Sequence, residues 1–363
     1  MKNTFGNNVT LTLFGESHGN AIGCVIDGIA SGLEVNEDEI SRLLSLRRPA
    51  GAISTARREE DKFEILSGVF NGRTTGTPIC ITIPNKDTRS ADYGAMARLA
   101  RPSHADYTAH VRYSGYEDYR GGGHFSGRIT AALVAAGGIL IPALNRKGIF
   151  IGTHVKECAG VSDRDFGDIC DDIKVLSGME FAVLDTEKAD AMKARILDAR
   201  SEGDSVGGVL ETAVVGLDAG IGEPWFDTLE GMISHAVFSI PAIKGIEFGA
   251  GFEFARMRGS EANDAFCIES GRVCTKTNNA GGINGGITNG MPIVFRSAVK
   301  PTPTISKEQE TIDYVNIESA TLSAAGRHDP CIVHRARIVV DCVTALVIAD
   351  ALSGKYGTDW LAK

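Results

Sequence analysis

The longest apolar run of this 363-residue chain, Ile129 to Leu144, is the feature that most constrains its fold. It is shorter than the ~20 apolar residues needed to cross a bilayer, and it contains two glycines and a proline. We therefore predict a buried helix over Ser126–Asn145. A second apolar helix, Ala336–Leu352, closes the chain, and the apolar fraction of 43% suffices to bury a sizeable core.

The rest of the pattern predicts strands and helices in irregular alternation. Asn36, with Glu39 three residues later, is typical of a helix N-terminus, and this helix should run through Leu46. The other predicted elements are strands at Val9–Phe14, Ile22–Ile29, Ile79–Ile83, Val206–Leu217 and Pro292–Val299, and an exposed helix at Lys188–Ser201. Length alone suggests two or three domains. Because no linker-like segment divides the chain, we expect a single domain over residues 1–363.

A short pattern, G-x-x-x-G-x-T-x-G-x-P-I, occurs twice, at Gly68–Ile79 and at Gly282–Ile293. One interpretation is coincidence, because 43 glycines make this chain unusually glycine-rich. The other is that two related halves each contribute a sheet, with a site where the halves meet.

Charge and cysteine content restrict the function. The net charge of −9 argues against a general nucleic-acid or membrane-surface binder. Eight cysteines form no CxxC pair and are too few for a disulfide scaffold, which favours a reducing cytoplasmic location. We expect no metal site, because no histidine pair or cysteine cluster has ligand spacing.

An arginine-rich segment reverses the overall charge. It spans residues 42–58, contains no Asp or Glu, and carries Arg42, Arg47, Arg48, Arg57 and Arg58. It is either a solvated loop, balanced by the acidic residues 59–61, or a clamp for a small polyanion, since arginine forks match carboxylate and phosphate. RNA is a weaker third alternative, because no aromatic residue lies within the segment for stacking.

Four polar segments hold candidate catalytic or anion-binding residues. His18 lies in FGESHG, and His104 lies in RPSHAD, where Asp106 is placed to orient the ring. Residues 120–128, RGGGHFSGR, form a glycine-rich turn before a helix, which favours anion binding. The segment GRHDPC, residues 326–331, adds a cation, an imidazole and a carboxylate. Together they predict an extended cationic pocket with two histidines and one aspartate.

These motifs occur together in one family. FGESHGxAIG, RRP, RPSHADY, DYRGGG, GGITNG, KPTPTI and GRHDPC follow one another over residues 6 to about 350, and in this order the sequence resembles chorismate synthase. The resemblance implies an α+β fold, a β-α-β sandwich with helices between two antiparallel sheets, pseudo-duplicated halves and a homotetramer. It also implies a lyase of the shikimate pathway of aromatic amino acid biosynthesis. This lyase converts 5-enolpyruvylshikimate 3-phosphate to chorismate and phosphate by 1,4-elimination, with reduced FMN as a cofactor that undergoes no net redox change.

By the same resemblance, particular residues acquire roles. His18 would protonate the departing phosphate, His104 would manage the charge of the reduced flavin, and Asp329 would assist proton loss from C6 at flavin N5. The substrate-binding residues would be Arg48, Arg101, Arg128 and Arg327. The cofactor-binding residues would be Arg47, His124, Phe125, Ser126, Ala242, Gly285, Lys300, Pro301, Thr302, Pro303, Thr304 and Arg327.

Two questions stay open at this stage. A non-catalytic binder or sensor of a small phosphorylated polyanion would use the same arginines and glycine turns, and His18, His104 and Asp329 would then be incidental. The resemblance also leaves open whether NADPH reduces the flavin on this chain or an outside source supplies it.

Overall fold

A computed structural model describes residues 2–49, 51–55, 60–86, 98–323 and 329–363. The strands are β1 (Thr4–Phe5), β2 (Thr10–Gly15), β3 (Ala21–Asp27), β4 (Glu64–Ser67), β5 (Val69–Phe70), β6 (Arg73–Thr74), β7 (Ile79–Pro84), β8 (Phe150–Cys158), β9 (Val161–Ser162), β10 (Gly208–Val215), β11 (Ile243–Phe248), β12 (Phe266–Glu269), β13 (Arg272–Thr275), β14 (Ile283–Asn284), β15 (Ile287–Thr288), β16 (Ile293–Val299), β17 (Gln309–Asp313) and β18 (Glu318–Leu322). The α-helices are α1 (Glu37–Arg47), α2 (Asp106–Tyr113), α3 (Thr130–Arg146), α4 (Ile169–Leu176), α5 (Thr186–Ser201), α6 (Leu229–Phe238), α7 (Gly259–Ala262) and α8 (Val333–Tyr356).

Two five-stranded antiparallel sheets enclose a layer of helices. The first sheet has the order β1-β2-β3-β7-β4 and the second has the order β11-β16-β10-β8-β9. Helix α3 packs on β3 and β7, α8 packs on β8 and β10, and the two helices pack on each other. One hydrophobic core includes residues of both sheets and of both helices. The predicted helices between two antiparallel sheets are thereby confirmed.

Both sheets have the same topology. If the second sheet is taken in reverse, β8, β10, β16 and β11 occupy the places of β2, β3, β7 and β4 in the first. A long buried helix, α3 or α8, follows each sheet in the sequence. The chain is therefore built from two halves with equivalent strand order, as the repeated glycine pattern predicted.

The repeated pattern occupies equivalent places and makes equivalent bonds. Each copy forms a hairpin of two strands that are two residues long. In the first half this hairpin is β5–β6, followed by β7, and in the second half it is β14–β15, followed by β16. The Thr74 hydroxyl accepts from Leu33 N and donates to Ala30 O. In the other half, the Thr288 hydroxyl accepts from Ile221 N and donates to the carbonyl of residue 218. Chance spacing would not produce matching hydrogen bonds, so the coincidence interpretation is not supported.

Most predicted elements form within a few residues of their expected ends. Asn36 caps α1 by accepting from Asp38 N and Glu39 N, as the capping pattern predicted. By length and composition Gly127–Arg146 would suffice for a membrane span, but 83% of its most apolar window is buried inside the protein. It is therefore the core helix that the sequence predicted.

Candidate active site

A cavity of about 920 Å³ opens where the first turns of α3 and α8 meet three loops. These loops are residues 101–105, the segment 239–242 between α6 and β11, and the segment that follows β16. The strands and helices of both halves thus supply its walls. The site lies where the two halves meet, as the repeat suggested.

Most of the predicted site residues whose positions are described line this cavity. They are Arg47, Arg101, His104, His124, Phe125, Ser126, Arg128, Ala242, Lys300, Thr302, Pro303, Thr304 and Asp329. The motifs that carry them are far apart in the sequence, so only the fold brings them together.

The cavity wall is strongly cationic although the whole chain is acidic. The cationic side chains on the wall are those of Arg47, Arg101, Arg128, Lys244, Lys300 and Arg335. Among the described lining residues, Asp329 is the single carboxylate. A wall of this composition favours a ligand with several negative charges.

Asp61 holds two of these arginines. Its buried carboxylate accepts from Arg47 Nη2 at 2.9 Å and pairs with Arg128 through its other oxygen. Burial raises the pKa of Asp61, but the charges of Arg47 and Arg128 outweigh burial, so the net pKa shift is downward. Asp61 therefore stays ionised and fixes both guanidinium groups at the cavity wall.

A second carboxylate orients His104. Asp106 Oδ1 lies 2.8 Å from His104 Nδ1, and Arg101 Nη2 donates to the same oxygen at 2.6 Å. A carboxylate can only accept, so His104 Nδ1 carries the proton and Nε2 is left for a ligand. Burial raises the pKa of Asp106, but hydrogen bonds from Arg101 and His104 outweigh burial and hold the pKa well below its usual range.

The glycine-rich turn brings the two predicted catalytic histidines to one place. Gly121, Gly122 and Gly123 have φ angles of 59°, 87° and 52°, in the left-handed region. A Cβ on Gly121 would overlap the imidazole of His18, and one on Gly122 would lie 3.0 Å from Cε1 of His104. The turn thus needs glycine both for its backbone and for the close approach of both rings. His18 is buried behind this turn.

Asp329 is held from two sides. Its Oδ1 accepts from Thr55 N at 2.9 Å, and its Oδ2 pairs with Arg335 at 2.6 Å. Arg335 lies on the first turn of α8, and its side chain is 13% exposed. The carboxylate is therefore fixed in the cavity wall with a cation beside it.

Two loops, which contain Ala242 and Lys300, form the cavity wall on the side of the second sheet. Ala242 has a φ of 76°, which costs energy for a residue with a Cβ and is typical of functional loops. Its carbonyl accepts from Lys300 N at 2.9 Å, and Lys300 Nζ donates to the hydroxyl of Ser103 at 2.8 Å. Burial, and then the charge of Lys244, lowers the pKa of Lys300.

Some predicted residues do not line the cavity. Arg48 donates to the carbonyl of Glu60, and Gly285 lies at the exposed turn between β14 and β15. Pro301 is exposed and is not among the lining residues. Arg327, Arg57 and Arg58 lie outside the described residues. His18 is not among the lining residues either. All the assigned roles, including those of Arg48, Arg327, Gly285 and Pro301, stay predictions.

Three residues of the site were missed from the sequence. The sequence groups Asp61 with the charges of a solvated loop, and it does not select Lys244 or Arg335. Arg335 carried a signal, because it is a charged residue at the start of a strongly apolar helix. Asp61 and Lys244 carried none, because their role depends on which residues the fold places beside them.

Comparisons with known proteins identify the family. The chorismate synthase family model matches residues 9–353 of this chain. The chain belongs to the chorismate synthase family. It is 49% identical to a chorismate synthase of Archaeoglobus fulgidus, over 96% of this chain and 97% of that protein. It is 46% identical to one of Korarchaeum cryptofilum, over 95% and 96%.

A solved structure supports the same assignment. A chorismate synthase crystal structure matches with a TM-score of 0.77 and 31% identity, over 98% of this chain and 94% of the other. The predicted family, the α+β fold and an enzyme of the lyase class in the shikimate pathway are thereby confirmed. A non-catalytic binder is not favoured.

Proposed function

We propose that this chorismate synthase family member converts 5-enolpyruvylshikimate 3-phosphate to chorismate and phosphate in the cationic cavity. The reaction breaks the bond to the phosphate and removes a proton from C6. The observation that carries the proposal is the joint placement of the cavity's cations, Asp329, and His104 and His18 beside one glycine turn. The substrate carries a phosphate and two carboxylates, which this wall is suited to bind.

The arginines bind and orient the substrate anions. Arg101 and Arg128 lie on opposite sides of the glycine-rich turn in the sequence, and Asp106 and Asp61 fix their guanidinium groups. Fixed cations can bind an anion with little ordering cost. Arg48 and Arg327 complete the proposed substrate-binding set.

The residues of the cavity also fit a bound reduced FMN. The volume of about 920 Å³ is large for a ligand site, and the buried Nε atoms of Arg47 and Arg335 lack a hydrogen-bond partner among the described residues. When bound, reduced FMN supplies electron density that stabilises charge developing on the substrate. The proposed binding residues are Arg47, His124, Phe125, Ser126, Ala242, Gly285, Lys300, Pro301, Thr302, Pro303, Thr304 and Arg327.

Three side chains move or hold protons. We assign protonation of the leaving phosphate to His18, because this lowers the negative charge that must depart. His104, with its tautomer set by Asp106, holds a proton beside the cofactor. Asp329 assists the loss of the C6 proton, since it is a carboxylate fixed in the wall.

We also propose that the chain assembles as a homotetramer. Trp225, Phe226 and Phe252 are 85%, 96% and 79% exposed in the single chain, and large apolar side chains of this kind favour burial between subunits. Light scattering of the purified protein measures the mass of the assembly directly, and the mass of a monomer would contradict the proposed tetramer.

An anaerobic assay with purified protein tests the reaction. Chorismate and phosphate should appear in equal amounts with reduced FMN present and should be absent without it. One reduced FMN per site should support many turnovers. Flavin oxidation in step with product formation would contradict the proposed role of the cofactor, and substrate binding without turnover would favour the non-catalytic binder.

A further inference from the structure

A hairpin outside the cavity brings two cysteines together. Strands β12 and β13 form a separate two-stranded sheet in which Cys267 lies directly opposite Cys274. Their Sγ atoms are 3.0 Å apart. Directly opposite residues of an antiparallel pair have Cα atoms about 4.5–5.5 Å apart, within the range that a disulfide bridges.

The turn of this hairpin keeps the two sulfurs in register. Ser270 and Gly271 form a two-residue connection with φ angles of 51° and 77°. Two positive φ angles are typical of a type I′ turn, whose twist matches that of the flanking strands. Glu269 therefore pairs with Arg272, and Cys267 pairs with Cys274.

Access also favours this pair. Cys267 and Cys274 are partly exposed, whereas Cys158 and Cys331, whose Sγ atoms are 3.8 Å apart, are fully buried. The hydrogen bond with Cys267 raises the pKa of Cys274 to about 11. Cys274 must therefore lose its proton before it can attack a disulfide.

We propose that Cys267 and Cys274 form a reversible redox site that exchanges with low-molecular-weight disulfides. The Cys267 thiolate attacks one sulfur of the external disulfide, and the other half leaves as a thiol. Cys274 then loses its proton and attacks the Cys267 sulfur, and the second half leaves as a thiol. Two protein thiols are oxidised to one disulfide, and one external disulfide is reduced to two thiols.

The cross-link stabilises a hairpin that has little other support. A two-stranded hairpin is marginally stable alone. The described contacts that hold its base include Asp264, which accepts from Asn279 N and Ala280 N. Since none of residues 266–275 lines the cavity, this inference does not rest on the proposed function.

A metal site is the less favoured use of the same residues. Cys267, Glu269 and Cys274 have ligand atoms within 4.8 Å of one another. However, a tetrahedral zinc ion would hold two sulfurs about 3.8 Å apart, farther than the 3.0 Å found here. Arg272 also lies opposite Glu269, and its positive charge disfavours a bound cation.

The test treats reduced, full-length protein with oxidised glutathione and maps the products by mass spectrometry. In the native protein we expect a disulfide between Cys267 and Cys274 that dithiothreitol reverses. In Cys274→Ser, a glutathione adduct should remain on Cys267. Its amount should exceed that in the native protein by at least about tenfold, because no neighbouring thiol displaces it. Cys170, an exposed single thiol, is the internal control and should carry only an adduct.

Amide hydrogen exchange supplies a second measurement on the same samples. Exchange in residues 266–275 should slow on oxidation of the native protein and stay unchanged in Cys274→Ser. Absence of the hairpin disulfide, oxidation at Cys158 and Cys331 first, or a stoichiometric zinc ion protecting both thiols would each overturn the proposal. Unchanged exchange on oxidation would overturn the stabilising role of the cross-link.

Discussion

Asp61 shows how one carboxylate can organise a cationic site. Both of its oxygens face arginines, and its side chain is fully buried. Without this negative charge, Arg47 and Arg128 would repel each other in a region with little water. We therefore expect anion binding at this site to depend on a residue that does not itself line the cavity.

We predict that Asp61→Asn weakens substrate binding. Asparagine tolerates the φ of 50° at this position, so the backbone should be kept. Loss of a buried charge partner should lower the free energy of unfolding by roughly 3–5 kcal/mol, and KM should rise by about tenfold or more, a loss of about 1.4 kcal/mol. Steady-state kinetics and urea denaturation measure both quantities.

A matched control separates stability from binding. Asp172→Asn breaks the ion pair with Arg164, whose atoms are 2.6 Å apart and lie outside the cavity. This variant should lose stability and keep its KM. If Asp61→Asn also keeps its KM, then Asp61 supports only the fold.

A second prediction, at Asp329, distinguishes proton transfer from anion binding. In Asp329→Asn the amide oxygen can still accept from Thr55 N, while the charge facing Arg335 is lost. Substrate binding should survive or tighten, because a negative charge has left a site for a polyanion. C6–H cleavage should slow on the order of 10²-fold. Single-turnover kinetics with C6-deuterated substrate and an equilibrium titration measure the two effects.

Arg335→Gln is the companion variant. If Asp329 acts only by holding Arg335, both variants should weaken substrate binding to a similar extent. A weaker Kd with an unchanged single-turnover rate in Asp329→Asn would remove this residue from the catalytic set.

At the scale of elements, the sequence predicted those whose signal is local. The helices α3 and α8 are apolar over many residues, and α1 begins at a capping asparagine, so each was predicted close to its observed ends. The hairpins β12–β13 and β17–β18 were missed, because their strands are short and partly exposed and show no long apolar run.

Some residues of the candidate site were also predictable from local sequence, whereas others were not. His18, His104 and the glycine turn lie in motifs with an unusual local composition, so the sequence was sufficient to select them. Asp61 pairs with Arg47 and Arg128, which lie 14 and 67 positions away in the sequence, and no sequence pattern predicts such pairs. Contacts of this kind arise only when the two sheets enclose α3 and α8.

The glycine turn allows a prediction at this scale. Gly122→Ala would combine a φ of 87° with a Cβ 3.0 Å from the ring of His104. Since misplacing a catalytic group by about 1 Å can cost 10²-fold in rate, kcat should fall by at least about tenfold. Gly148→Ala is the control, because it has a φ of 76° but open space around the new Cβ. It should lose stability and keep kcat, and equal kcat values for the two variants would show that the ring contact is unimportant.

For the whole molecule, a buried carboxylate on α8 links stability to pH. Asp341 accepts from the Thr153 hydroxyl at 2.5 Å, and burial raises its pKa to about 6 from an ordinary 3.8. The pKa of Asp341 is higher in the folded state than in the unfolded state. Its contribution to the free energy of unfolding is therefore fully present below pH 4 and is lost as pH rises through 6. Asp341→Asn should remove this pH dependence, on the order of 3 kcal/mol. It also removes the charge that faces buried Arg337, whose Nη1 lies 3.8 Å away. Urea denaturation at pH 4 and pH 8 measures the free energy of unfolding of each protein. Asp171→Asn, at an exposed position, is the control. Equal pH profiles for native protein and Asp341→Asn would contradict the prediction.

We predict that residues 1–363 fold as one domain, because α3 of the first half packs on α8 of the second in a common core. Asp341→Asn also tests this prediction. If the halves unfold together, slowly exchanging amides of α3 and α8 report the same free energy of opening. Asp341→Asn, although it lies on α8, should then change that free energy equally in both helices at pH 8. Hydrogen exchange with increasing urea measures the two values. A change confined to the second half would show that the duplicated halves unfold independently, in spite of their shared core.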